Sequence, residues 1–311
     1  MWWEYADICV FQHNTRPIAG VSTADGNGNL IRKFGKSAAA KPKCVTTDAS
    51  RKLASILNTI LEGLAEKDEE FAAKNDGIRR FWVKLNMNDF NNMIKKRLDA
   101  CQGKQIRTYD FKKMYTNLTH KEIRRNVRAV VVEYKEWKTE EESGVPSVEY
   151  IMEHLDFILD NIYVENGNRQ YKQEIGIPMG TNAAPPIANL TLYTTEAEYI
   201  DKLLEKGDHT TAKQLCLTGR FIDDLVTVGL QGEFASDIYK DLELAETTEV
   251  KDKRVIYLGT QIDYDRMKNT IKLSVYDKSA NWQFPVVKFP TGQGNTPSTL
   301  TSGLITGELA R

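Results

Sequence analysis

The stretch "GRFIDDLVTVG", Gly219 to Gly229, sets Asp223 and Asp224 side by side between apolar, β-favouring residues. Strand interiors avoid aspartate, and neighbouring like charges repel. A third carboxylate, Asp110, closes the strand-like "KQIRTYDF". If the two elements are neighbours in one sheet, the three carboxylates converge. They then repel one another unless a cation compensates them. Hard oxygen ligands select magnesium or manganese. Two such ions ~3.5–4 Å apart form a clamp for in-line phosphoryl transfer, where catalysis is mostly positioning and charge stabilisation. Taken alone, "IDD" also reads as a surface turn, and Asp110 as a strand-end carboxylate.

The other functional classes are narrowed by composition. The 311 residues are 41% hydrophobic and 27% charged, enough for a sizeable core. With 42 Lys and Arg against 43 Asp and Glu the net charge is −1, so any basic surface is local. Cys9, Cys44, Cys101 and Cys216 form no CxxC pair, and the four histidines have no HExxH spacing. This argues against a disulfide framework or a zinc site and for a reducing, intracellular setting. The N-terminus "MWWEYADICVFQ" is a poor signal peptide, and no run approaches the ~18 apolar residues of a membrane span. A soluble protein with no membrane partner is expected.

"STADGNGN" reads as a loop. Leu53, Ile56, Leu57, Ile60, Leu61 and Leu64 repeat at helical spacing after Asp48. "FWVKLNMNDFNNMIKKRL" reads as a strand and a helix. Thr119 and Glu122 form a capping box before a helix carrying Ile123, Val127, Val130, Val131 and Tyr134 on one face. After the break at "GVPS", Val148, Ile151, Met152, Leu155, Leu159 and Ile162 mark another helix. "IYVENGNRQYKQEI" is a hairpin turning at Asn166-Gly167. "GIPMGTNAAPP" is a glycine loop feeding a helix with Pro185 and Pro186 in its first turn. "VIYLGTQIDYDRMKNTIKLSVYDK" is a further hairpin. The order predicts an α+β fold rather than βαβ repetition.

Asp110 with Tyr115 after it, then the glycine loop and helix, then an aromatic before x-Asp-Asp, is an ordered set. In it the sequence resembles the reverse transcriptases, most closely the Penelope-like retroelement branch related to telomerase. "TYDFKKMYTNLTH" is similar to the first catalytic block, with Leu118-Thr119 where the family has isoleucine-proline. "YKQEIGIPMGTNAAPPIANLTLYTTE" is similar to the block that holds template and nucleotide. "RFIDDLVTVG" is similar to the aromatic-x-Asp-Asp hairpin. The likeness runs from about residue 40 to the end.

The resemblance implies a right-hand polymerase, with an antiparallel palm sheet packed on helices and the thumb truncated or absent. Residues 1–35 are unassigned. Fingers span 36–105. The palm spans 106–265 with interleaved fingers helices over 119–162, and 266–311 form the palm's end and the start of the thumb. It further implies that Asp110 and Asp223 bind two Mg2+ or Mn2+ ions. The Phe111 carbonyl is an added ligand, and Asp224 supports the site. Tyr115 becomes a steric gate against a 2′-hydroxyl. Gln173, Gly176, Met179 and Gly180 shape the nucleotide and template pocket. Lys41 and Lys43 are candidates for gripping the triphosphate, and Lys251 or Lys253 for protonating pyrophosphate. Arg79, Arg80, Lys95, Lys96 and Arg97 are candidates for lining the duplex approach. The implied partners are an RNA template, a DNA or RNA primer and deoxynucleoside triphosphates, and the implied location is nuclear. The alternative is a reverse-transcriptase-like nucleic-acid-binding protein without catalysis. An RNA-directed RNA polymerase is disfavoured by Tyr115, because those enzymes place a carboxylate after the first-block aspartate.

Overall fold

The computed structural model describes residues 16–24, 30–37, 46–84, 87–96, 106–166, 169–230, 237–239, 242–247, 254–265, 270–276 and 303. Its centre is an antiparallel sheet in the order β6-β7-β3-β8, built from β3 (Ile106–Lys112), β6 (Gly219–Phe221), β7 (Asp224–Val228) and β8 (Glu243–Glu246). β3 lies between β7 and β8, so a segment from the middle of the chain is flanked by two from its last third.

Alternation on β3 and β7 divides the core in two. Tyr109 is paired with Leu225, and both face the larger cluster. Ile106 is paired with Val228 on the opposite face, which packs against Phe90, Ile94, Val255, Tyr257 and Ile262. The larger cluster is helical. α1 (Thr46–Lys74) buries Leu53, Leu57, Ile60, Leu61 and Leu64, the spacing that predicts its helix. α2 (Met87–Lys96) contributes Phe90 and Ile94 to the smaller cluster.

α3 (Met114–Asn117) is one turn following β3. α4 (His120–Trp137) begins with the Thr119–Glu122 capping box and buries Ile123, Val127, Val130, Val131 and Tyr134. α5 (Glu140–Ser143) is again one turn, and α6 (Val148–Asp160) ends before Ile162. β4 (Tyr163–Asn166) and β5 (Arg169–Lys172) pair as the predicted hairpin, with Gly167 outside the described residues. α7 (Ala184–Glu205) has its prolines in the first turn and is buried along much of its circumference. α8 (His209–Leu215) leads into β6. β9 (Arg254–Tyr257), β10 (Thr260–Asp265) and β11 (Thr270–Val275) form a separate antiparallel sheet.

Two expectations are corrected. "STADGNGN" is not loop throughout: Ser22, Thr23 and Ala24 end β1 (Arg16–Ala24), which pairs with β2 (Leu30–Ser37). Threonine suits a strand, and a composition of small polar residues does not report the partner that pairs with it. Among its described residues, Phe81 to Lys84, "FWVKL" makes only an isolated bridge, Val83 with Arg220, sealed by hydrogen bonds from Arg220 N to Trp82 O and from Lys84 N to Arg220 O.

Gly63 on α1 marks where that helix touches α4, because a Cβ there would meet the Tyr134 ring. Gly63→Ala is expected to cost ~1–3 kcal/mol by overpacking, partly offset by ~1 kcal/mol of helix propensity. Urea unfolding measures the net loss, and a variant as stable as wild type would show that the two helices do not meet there.

Candidate nucleotidyl-transfer site

The β6–β7 hairpin turns in two residues. Phe221 pairs with Asp224, leaving Ile222 and Asp223 as the connection. Ile222 has φ 56°, a left-handed conformation that a β-branched residue rarely accepts. Two-residue hairpins ordinarily place glycine or asparagine there. On the far side Asp110 lies directly opposite Asp224 across β3 and β7, and the Phe111 N–H donates to the Asp223 carbonyl at 3.4 Å. The strand that carries Asp110 therefore abuts the tip that carries the twin aspartates.

A cavity of about 610 Å3 opens here. Asp110, Phe111, Tyr115, Met179, Gly180 and Asp223 line it, together with Lys113, Asn182 and Ile222. Burial raises the Asp110 carboxyl above its ordinary value, and the charge of Asp223 raises it further. Asp224 lines a neighbouring cavity of about 360 Å3, which also reaches Asp110, Tyr257, Gly259 and Tyr276. Its carbonyl accepts a hydrogen bond from the Tyr257 hydroxyl at 3.1 Å. Two of the three predicted carboxylates thus face one cavity, and the third faces its neighbour. Among the described residues no group of three or more His, Cys, Asp and Glu is gathered to hold a metal ion.

Tyr115 lines the cavity from the helical turn that follows β3. Lys113 is left-handed at φ 62° and starts the one-turn α3. The glycine loop is then laced to this segment: Ile177 N donates to Tyr115 O and Gly176 N to Leu118 O, each at 2.8 Å. Gly176 and Gly180 have φ near 90°, a conformation glycine adopts without steric cost. The buried His120 ring contacts the Gly176 carbonyl through Nε2 at 3.0 Å. Burial lowers its pKa, which favours the neutral ring.

The remaining predicted residues divide. Met179 and Gly180 line the cavity, whereas Gln173 and Gly176 do not. Gln173 is 3% exposed and its side-chain amide donates to Ile175 O at 3.1 Å, so it shapes the loop from within. Lys41, Lys43, Lys251, Lys253 and Arg97 lie outside the described residues, as do the side chains of Lys95 and Lys96. Arg79 and Arg80 are engaged in ion pairs, Arg79 with Asp68 and Glu69, and Arg80 with Glu133 and Asp201. The partners of Arg79 lie on the preceding α1, and those of Arg80 on α4 and α7, far along the chain, which spacing around the arginines cannot reveal.

Sequence reasoning passed over Arg220. It is fully buried beside the tip, in a bidentate pair with the equally buried Glu196. The available signal is a single arginine in a short strand flanked by apolar residues, which cannot be buried without a partner.

No family model matches the chain, and no curated protein matches it either. Solved structures do. Telomerase from Candida albicans, in complex with a TWJ fragment of telomeric RNA, aligns with a TM-score of 0.51 at 11% identity, over 85% of this chain and 47% of that one. Apo telomerase from Candida tropicalis, truncated from the C-terminal domain, gives 0.48 at 12% identity, over 79% and 53%. The Sicinivirus 3Dpol RNA-dependent RNA polymerase gives 0.37 at 10%, over 61% and 40%. The chain spans about half the length of these telomerases. At such identity the first likeness speaks for the fold alone: helices on an antiparallel sheet, arranged as in a polymerase of the telomerase kind.

Proposed function

We propose that the chain is an RNA-directed DNA polymerase of a Penelope-like retroelement, adding deoxynucleotides to a primer 3′-hydroxyl on an RNA template. The observation that carries this is the one cavity shared by Asp110, Asp223, Tyr115, Met179 and Gly180. A nuclear location belongs to the same proposal. So does the assignment of residues 36–105 to fingers and 106–265 to palm. No helix among the described residues is long and apolar enough to cross a membrane.

The donor set fits a divalent cation. Two carboxylates face one cavity, and the charge of one raises the pKa of the other, a repulsion that a hard cation relieves. Asp110 and Asp223 would hold it with the Phe111 carbonyl, and Asp224 would support them from across the strand. Bound Mg2+ or Mn2+ would neutralise phosphate charge and favour the deprotonated 3′-hydroxyl. The chain's own side chains do the rest. The Tyr115 ring narrows the floor where the sugar lies and excludes a 2′-hydroxyl. The Met179–Gly180 backbone, without a side chain at Gly180, lets the incoming nucleotide approach closely.

One observation favours a second reading, binding without turnover: Asp224 faces a different cavity from Asp223, and no three-carboxylate group is assembled among the described residues. Turnover separates the two.

In primer extension on an RNA template with Mg2+, wild type is expected to incorporate deoxynucleotides. Asp223→Asn should lose ~10²–10³-fold in rate, as when one preorganised charge-stabilising group is removed. Nucleic-acid binding without extension would establish the second reading.

Tyr115→Ala should raise the relative rate of ribonucleotide incorporation roughly 10-fold or more, the scale of a shape-based discrimination. Unchanged sugar selectivity would remove Tyr115 from the gate.

Asp110 also has a thermal signature. Its folded pKa lies above the unfolded value, so the native state holds the proton longer. Its unfavourable contribution is absent below the ordinary carboxylate range, grows as pH rises through the folded pKa, and is full above it. Asp110→Asn should therefore melt higher than wild type at pH 7, with the gain vanishing near the acid end. Mn2+ should raise the melting temperature of wild type and not of the variant. Equal responses to Mn2+ would argue against a cation at this pair.

A further inference from the structure

The buried charges behind the hairpin tip have no role in the chemistry above, yet their hydrogen bonds reach both walls of the cavity. Arg220 has five N–H donors and uses each of them. Nε donates to Glu196 Oε1 at 2.5 Å and Nη2 to Glu196 Oε2 at 3.2 Å. Nη2 also donates to Asn189 O at 3.2 Å, and Nη1 to Asn189 Oδ1 at 2.9 Å. The fifth bond runs from Nη1 to the carbonyl of Ile222, at 3.1 Å. Ile222 is the left-handed residue of the tip, and Asp223 follows it.

Glu196 carries a second link. Its Oε1 accepts the Tyr239 hydroxyl at 2.6 Å. The Tyr239 ring packs edge-on against Phe111, with centroids 4.8 Å apart at 90°. Phe111 follows Asp110. The same α7 that carries Asn189 and Glu196 begins with Ala184 and Pro185, in the cavity wall. One buried carboxylate is thus connected to the backbone beside Asp223, to the residue after Asp110, and to the helix that closes the pocket.

A buried ion pair is weak support for stability, since an apolar pair of similar volume often serves the fold as well. An apolar pair cannot make a directed bond to the Ile222 carbonyl. That bond holds a β-branched residue in a conformation costing roughly 1–2 kcal/mol.

We propose that Arg220 is a positioning residue: clamped by Glu196 and Asn189, it holds the Ile222 carbonyl and so fixes the turn that aims Asp223 at Asp110. This rests on the polymerase reading of the same cavity. A lysine, with three donors on a flexible stem, keeps the charge for Glu196 but cannot occupy the five positions.

The test uses Arg220→Lys and the double variant Arg220→Met with Glu196→Leu, in the full chain. Each is measured by circular dichroism and melting, by Mn2+ titration read by electron paramagnetic resonance, and by primer extension over a range of deoxynucleotide concentrations. Arg220→Lys is expected to fold, to bind Mn2+ at least ~10-fold more weakly, and to lose ~10²-fold in kcat with KM little changed, the scale of an ångström-level misplacement. The double variant is expected to melt near wild type and show the same losses. A folded Arg220→Lys chain with wild-type Mn2+ affinity and kcat overturns the positioning role alone. If Arg220→Lys does not fold, a folded double variant of wild-type Mn2+ affinity and kcat overturns it as well. If neither variant folds, Arg220 is a residue of stability and the role is overturned. A wild-type chain that neither extends a primer nor binds Mn2+ overturns the polymerase reading, and this role with it; that failure is visible before any Arg220 variant is measured.

Discussion

β3 and β7 pair so that Tyr109 meets Leu225 and Asp110 meets Asp224. Because side chains alternate, this register sends Tyr109 and Leu225 into the helical core and Ile106, Val226 and Val228 into the smaller cluster. A slip of one residue would turn Tyr109 and Leu225 away from their core and bring Thr108, Asp110 and Asp224 to face it. The apolar pattern of the two strands therefore fixes where the carboxylates emerge, at the end of the pairing where the apolar residues run out. Placing two like charges opposite each other is unfavourable by itself. The strands tolerate it because hydrophobic burial along the rest of their length sets the register first.

The glycine loop reaches the site by a different route. It belongs to no strand, yet it is bonded to the Tyr115 segment at Leu118 and Tyr115 and bridged from Ile175 to Thr119. The capping box at Thr119 and Glu122 fixes where α4 begins. The loop, the Tyr115–Leu118 segment and the start of that helix are thereby one hydrogen-bonded unit. α7 then carries the loop's far end into the core with its prolines in the first turn, where missing N–H groups are not needed.

Much of this was legible in the sequence because it depends on neighbours along the chain. The capping box, the helical spacing of Leu53 to Leu64, the prolines after the glycine loop and the β-rich flanks of Asp223 are local signals, and the elements stand where they indicate. What escaped depends on partners far along the chain. Arg79 and Arg80 look like a free basic face until Glu133 and Asp201, on other helices, are brought against Arg80. Gln173 looks like a pocket residue until its amide is turned inward onto Ile175. Arg220 sits within the most informative motif, but Glu196 lies on another element and no periodicity joins them. Ser22 and Thr23 became strand because β2 pairs with them, which a composition of turn-forming residues cannot express.

Three departures from local preference lie together. Ile222 is left-handed where glycine is preferred, Asp110 faces Asp224 where opposite charges or apolar side chains are preferred, and Arg220 and Glu196 are buried where hydrophobic residues serve as well. All three belong to one connected patch, joined by the bond from Arg220 to the Ile222 carbonyl. Elsewhere α1, α4 and α6 follow the apolar spacing expected of amphipathic helices. A sequence specifies a fold when its local choices agree with the global one, and exceptions that cluster indicate a demand other than folding. Burying Arg220 and Glu196 supplies a fixed, directional scaffold in a medium of low dielectric, where hydrogen bonds hold geometry more firmly than in water. That scaffold stands behind the carboxylates, away from solvent. It can define the turn without presenting a positive charge to the cavity in which Asp110 and Asp223 would hold a cation of their own.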